Sequence, residues 1–157
     1  MVASVPVSRR MVMGALAGAA LIGVRSPAEA AASLDLAKYR GKVVYVDFWA
    51  SWCGPCKLSF PFMQQLAARY PGGEVAVVTV NVDRQRAQAD TFLRQVRSNL
   101  PVIYDAQGDL AQAWKVADMP TSLVFDRKGT MRFRHQGFFP GKVREYEAHI
   151  AQLVREA

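Results

Sequence analysis

The stretch KVVYVDFWASWCGPC, residues 42–56, constrains this chain more than any other. Its opening, KVVYVDFW, is a nearly unbroken apolar run, the pattern of a strand buried on both faces in the middle of a sheet. A turn punctuated by Gly54-Pro55 ends the run. Beyond it Phe62, Met63, Leu66, Ala67 and Tyr70 keep helical spacing, with Pro61 expected to kink the helix. Cys53 and Cys56, the chain's two cysteines, sit at that strand-to-helix junction.

The remaining segments extend the pattern. PGGEVAVVTVNVD gives a turn and a second buried strand, and RAQADTFLRQVRSN an amphipathic helix with Phe92, Leu93 and Val96 inward. LPVIYD reads as a short strand and DLAQAWKV as a short helix. PTSLVFD and TMRFRHQG, joined by a turn at Arg127-Lys128-Gly129, read as a hairpin. In GKVREYEAHIAQLVREA the residues Val143, Tyr146, Ile150 and Leu153 share one helical face. Strands alternating with helices, followed by a hairpin, predict an α/β fold with a mixed central sheet flanked by helices on both faces.

A chain of 157 residues with 51% apolar content is sized for one domain with a true core. Residues 1–30 are set apart as a signal peptide, leaving 31–157 as the folded domain. MVASVPVSRR is basic, Met11 to Val24 is a run of 14 weakly polar or apolar residues, and small residues surround Ala30. The run is shorter than the roughly 17–25 residues of a spanning helix, so cleavage is expected over an uncleaved membrane anchor. Arg9-Arg10 fits a twin-arginine signal, whereas the Met-Val-Met that follows does not, which leaves the export route open. Losing three arginines and one glutamate with the leader lowers the formal charge from +7 to +5. Such scattered charge, without a basic stripe carrying interleaved aromatics, argues against a nucleic-acid groove. Arg132 and Arg134, in the one dense patch, are expected to share a strand face.

The cysteines fit three roles unequally. A zinc site needs four ligands, and only His135 and His149, distant in sequence, could join them. A structural staple gains little, because the loop closed between Cys53 and Cys56 is very short. Reversible disulfide exchange remains: Cys53 at the helix start is exposed to free N–H groups and the helix dipole, which favour its thiolate. Cys56, one turn further in, is placed to resolve a mixed disulfide.

DFWASWCGPCK, with Pro61 five residues after Cys56, and MPT at Met119–Thr121 together resemble thioredoxin. The export signal, the NVDRQRAQADTFLRQV segment and MPTSLVFDRKGTMRFRHQGF narrow the resemblance to exported TlpA/ResA/DsbE-like thiol-disulfide oxidoreductases, across essentially the whole mature chain. The resemblance implies a thioredoxin-like fold, with Cys53 as nucleophile, Cys56 as resolving thiol, Trp52 at the lip of the site, Pro120 a cis-proline beside the cysteines, and Asp47 a buried carboxylate behind them. Gly54, Pro55 and Met119 complete the expected substrate-binding set. It implies no cofactor beyond a redox-active Cys53–Cys56 disulfide and no metal. Independently of that likeness, a carboxylate inside VVYVDFW is costly to bury, so its pKa should rise to where it can take a proton from Cys56, through water. Many ResA- and DsbE-like members carry Glu where this chain has Ser59 and often lack the strand Asp, so the site looks closer to thioredoxin than to a specialised cytochrome c maturation reductase.

Gly54-Pro55 is the dipeptide of the reducing members, where thioredoxin lies near about −270 mV against about −120 mV for the oxidant DsbA. The expectation is a periplasmic, monomeric protein-disulfide reductase acting on exported proteins and recharged by a membrane thiol-transfer protein. A disulfide oxidase or isomerase is the same-class alternative. A copper-handling thiol protein, with Met119 as a conceivable third soft ligand, is the other.

Overall fold

The computed structural model describes residues 34–156. The expected leader, residues 1–30, lies outside the described residues. Five strands form one mixed sheet in the order β3-β2-β1-β4-β5: β1 Val43–Trp49, β2 Val75–Asn81, β3 Val102–Tyr104, β4 Thr121–Phe125 and β5 Met131–Gln136. β1 runs parallel to β2 and β2 to β3, while β4 is antiparallel to both β1 and β5. Among the described residues four α-helices intervene or follow: α1 Gly54–Arg69, α2 Arg86–Gln95, α3 Asp109–Ala113 and α4 Val143–Arg155. The mixed sheet, the closing hairpin and the helices on both faces are those expected from the sequence.

Every residue of β1 is buried. Alternation of side chains along the strand sends Val43, Tyr45 and Trp49 into the cluster that holds Phe62, Met63 and Leu66 of α1 and Tyr146, Ile150 and Leu153 of α4. Val44, Val46 and Phe48 go to the opposite face, with Leu110 and Ala111 of α3 and Leu34. Asp47 belongs to the first row, so its carboxyl points under α1 among apolar neighbours.

Pro61 lies inside α1, and the helix continues through it to Arg69. The proline is exposed, so the backbone carbonyl it leaves without an N–H partner lies on the watered side. Inward, Phe60 is fully buried, with its ring 5.1 Å from Trp49 and 5.3 Å from Phe92 of α2. These edge-on contacts tie three elements together at the end of β1 that carries the cysteines.

The arginine patch differs from expectation. The β4–β5 register shifts between Val124 and Phe125, so Phe125 pairs with Met131 and Arg132 is left unpaired in a bulge. Arg134 Nη2 donates to the Trp114 carbonyl after α3, at 2.8 Å, whereas Arg132 Nη1 bonds Glu156 beyond α4, at 2.7 Å. Strict alternation would have put both arginines on one face, and the bulge breaks that alternation.

Truncating Phe60 to Ala should cost about 3–5 kcal/mol, the range for a large aromatic lost from a sealed core. The check is a urea midpoint that falls with an unchanged denaturant slope.

Candidate active site

The strand β1 ends at Trp49, and the chain turns through Ala50–Trp52 into α1. Cys53 is the N-cap of that helix, and its Sγ accepts from the Cys56 N–H at 3.2 Å. Pro55 occupies the first turn, where its missing N–H removes no helical bond. Cys53 and Cys56 are joined as a disulfide. Cys53 retains 6% exposure and Cys56 none, the order expected of an attacking and a resolving thiol. The Cys56 N–H in the first turn of the helix points at the Cys53 sulfur, whereas the Cys56 side chain is enclosed.

The turn is held from beneath by a group the sequence reading passed over. Asp83, just past β2 and 3% exposed, accepts from the Ser51 N–H at 2.9 Å, from Ser51 Oγ at 3.0 Å and from Asn81 Nδ2 at 2.8 Å. Its own N–H donates to Asn81 Oδ1 at 3.1 Å. The available signal was a polar Asn-Val-Asp closing an apolar strand, with Asn and Asp able to bond nearby backbone. Trp52, which follows Ser51, is 71% exposed and so stands at the lip of the site rather than in the core. An open groove of about 500 Å3 runs from Ser51 and Trp52 past Gln88, Thr91 and Phe92 of α2.

On the other side of the disulfide, Met119 and Pro120 lead into β4. Thr121 pairs with Phe48, so this segment lies against the end of β1. The Met119-Pro120 bond is cis. Pro120 is buried, while the half-buried Met119 packs on the cluster that includes both cysteines. A Cβ placed on Gly54 would meet no heavy atom within 4 Å, so the surface beside Cys53 is open to an approaching chain.

Asp47 is fully buried beneath α1. Each of its oxygens has a hydroxyl within reach. Ser122 Oγ donates to Oδ1 at 2.7 Å, and Ser59 Oγ approaches Oδ2 at 3.4 Å while donating to the Cys56 carbonyl at 2.9 Å. Desolvation outweighs these two hydroxyls and pushes the carboxyl up from 3.8 to about 7. Ser59 thus links the carboxyl to the turn of α1 that carries Cys56. His135 and His149 pair with each other, Nε2 to Nδ1 at 3.0 Å, and burial beside His149 pushes His135 down to about 4.

A thioredoxin-like α/β fold carrying a Cys-x-x-Cys disulfide at a helix start is the class these features define. Residues 17–150 match the Redoxin family, and the chain belongs to it. ResA thiol-disulfide oxidoreductases are similar: that of Oceanobacillus iheyensis is 33% identical over 105 residues, covering 67% of this chain and 55% of the relative. That of Geobacillus kaustophilus is 31% identical over 97 residues, covering 62% and 56%. The matched part is therefore little more than half the length of these curated relatives. A solved Chlorobium tepidum structure, described as a thiol:disulfide interchange protein DsbE, superposes with a TM-score of 0.73 at 41% identity, covering 76% of this chain and 84% of that one.

Alkylation of the reduced protein near neutral pH should modify Cys53 faster than Cys56, and mass mapping of a partial reaction checks the order. A second expectation concerns Asp47 and pH. A carboxyl whose folded pKa lies above its unfolded value weakens the native state as pH rises from 3.8 towards about 7. At about 1.4 kcal/mol per pH unit, that loss is on the order of 4 kcal/mol. Asp47→Asn should therefore exceed the parent in stability at pH 8 and not at pH 4, as read from urea unfolding at both.

Proposed function

We propose that the protein is an exported thiol-disulfide oxidoreductase that reduces disulfides of other exported proteins. It works in the periplasm once residues 1–30 have been removed as a signal peptide. The observation that carries the proposal is the Cys53–Cys56 disulfide placed between an open surface and a buried carboxyl. Cys53 caps α1 beside the exposed Trp52, and Asp47 lies behind, joined through Ser59 to the Cys56 turn. The names of the similar ResA and DsbE proteins support the same chemistry.

In the proposed cycle the Cys53 thiolate attacks one sulfur of a substrate disulfide. The substrate S–S bond breaks, one substrate sulfur leaves as thiolate, and a Cys53–substrate bond forms. Asp47, ionised in part at neutral pH, takes the Cys56 proton through water. The Cys56 thiolate then attacks Cys53 Sγ, closing the Cys53–Cys56 bond and expelling the second substrate thiolate. Two electrons have moved to the substrate, and a membrane thiol-transfer protein returns them. Trp52, Gly54, Pro55, Met119 and Pro120 frame the surface on which the substrate backbone lies.

Direction rests on the Gly54-Pro55 dipeptide of reducing relatives. The gap between reducing and oxidising members, roughly 150 mV, corresponds to about 7 kcal/mol for two electrons. Equilibration against glutathione and dithiothreitol buffers should give a potential near that of thioredoxin. A value near that of DsbA would reverse the net reaction. Cys56→Ala should stop turnover of a disulfide substrate such as insulin and accumulate a substrate–Cys53 mixed disulfide. Unimpaired turnover by that variant would refute the two-thiol cycle.

A further inference from the structure

One row of residues crosses the α1 face of the sheet in polar side chains on four successive strands. Thr79 of β2, Asp47 of β1, Ser122 of β4 and His135 of β5 are register partners in sequence across the strands. Thr79 turns away, its Oγ1 donating to the Pro101 carbonyl at 3.1 Å. Ser122 faces Asp47, and the Tyr45 hydroxyl comes diagonally across the strand pair to within 2.6 Å of Ser122 Oγ. Tyr45, Asp47 and Ser122 all have 4% exposure or less, so water does not compete for these bonds.

We propose that Ser122 and Tyr45 are positioning residues for the dithiol reaction: a chain of two hydroxyls that orients the Asp47 carboxyl and stabilises its anion while Cys56 gives up a proton. The proposal rests on the reductase cycle above and adds to it the groups that make Asp47 usable. A serine hydroxyl has one proton. When Asp47 is ionised it has none to give, so the Ser122 proton points to Oδ1 and the Tyr45 proton points to Ser122. Both dipoles then align towards the anion and polarise one another. When Asp47 is protonated the chain can reverse, with the carboxyl donating to Ser122 and Ser122 to Tyr45. The phenol holds its proton firmly, because burial and the neighbouring carboxylate push its pKa well above the usual value. Tyr45 therefore orients the chain without serving as a proton source. Cys56 lies on the α1 turn that Ser59 joins to Asp47, His135 of β5 is the register partner of Ser122, and the Tyr146 ring of α4 lies 4.6 Å from that of His135.

The test follows the Asp47 carboxyl by carbon-13 NMR in the oxidised full chain, where Cys56 is locked in its disulfide. In parallel, the pH dependence of mixed-disulfide resolution is measured from the reduced protein. Loss of one charge-assisted hydrogen bond in Ser122→Ala should raise the Asp47 midpoint by about one pH unit or more. Ser122→Thr, which keeps the hydroxyl, should return it. Tyr45→Phe should give a smaller rise in the same direction, and none once Ser122 is already Ala, because Tyr45 acts through Ser122. The resolution profile should move to higher pH by the same amounts. Unchanged midpoints in folded Tyr45→Phe and Ser122→Ala, or an equal Tyr45→Phe shift with and without Ser122, would overturn the hydroxyl chain. Midpoints that move while the resolution profile stays put would overturn its role in the reaction. Failure of the parent protein to exchange disulfides would instead strike the reductase cycle, and the NMR shifts would still report the chain.

Discussion

A carboxyl group in the middle of a sealed strand is the constraint around which this fold is arranged. β1 is buried along its whole length, with α1 and α4 above it and α3 beneath. Burial of Asp47 there costs free energy that other contacts must offset. Ser122 from the antiparallel neighbour and Ser59 from α1 supply partial compensation. The incompleteness matters chemically: two hydroxyls leave the carboxyl near neutrality in its proton affinity instead of strongly acidic. Full satisfaction by cations or backbone N–H groups would have made it a poor proton acceptor.

A second buried acidic side chain is bonded differently. Asp83 collects hydrogen bonds from a backbone N–H, a hydroxyl and an amide, and these fix the Ser51 turn just before Trp52 and Cys53. Asp83 bonds the loop before the cysteines, whereas Asp47 is joined through Ser59 to the turn of α1 that carries Cys56. Asp47 lies within β1 and Asp83 just past the end of β2, its parallel neighbour.

What was legible in the sequence was chiefly what short-range pattern can encode. The nearly unbroken apolar run fixed β1 as central, the Gly-Pro turn fixed the start of α1, and the Lys-Gly turn between two β-rich runs fixed the hairpin. Cys53, Cys56 and Asp47 stood out because each is chemically conspicuous where it occurs. Ser122 and Tyr45 did not, since Ser122 lies 75 residues from its carboxyl partner and meets it only through strand register. A serine in TSLVF looks like any small strand residue until the neighbouring strand is known. Asp83 was hidden for the same reason, its partner Ser51 being 32 residues away. Arg132 and Arg134 failed differently: a one-residue bulge changes the direction of side chains, and nothing local in MRFRH announces it.

The bulge has a further consequence at the rim of the sheet. A mixed sheet has two outer strands whose free N–H and C=O groups invite another chain to pair. Here one rim is β3, only three residues long. The other is β5, interrupted at Arg132 and occupied by two arginines whose heads are tied to opposite sides. Neither rim offers a long, regular template for strand addition. A protein whose proposed partners are exported, disulfide-bearing chains can therefore meet them at the cysteine end while its flanks resist seeding a shared sheet.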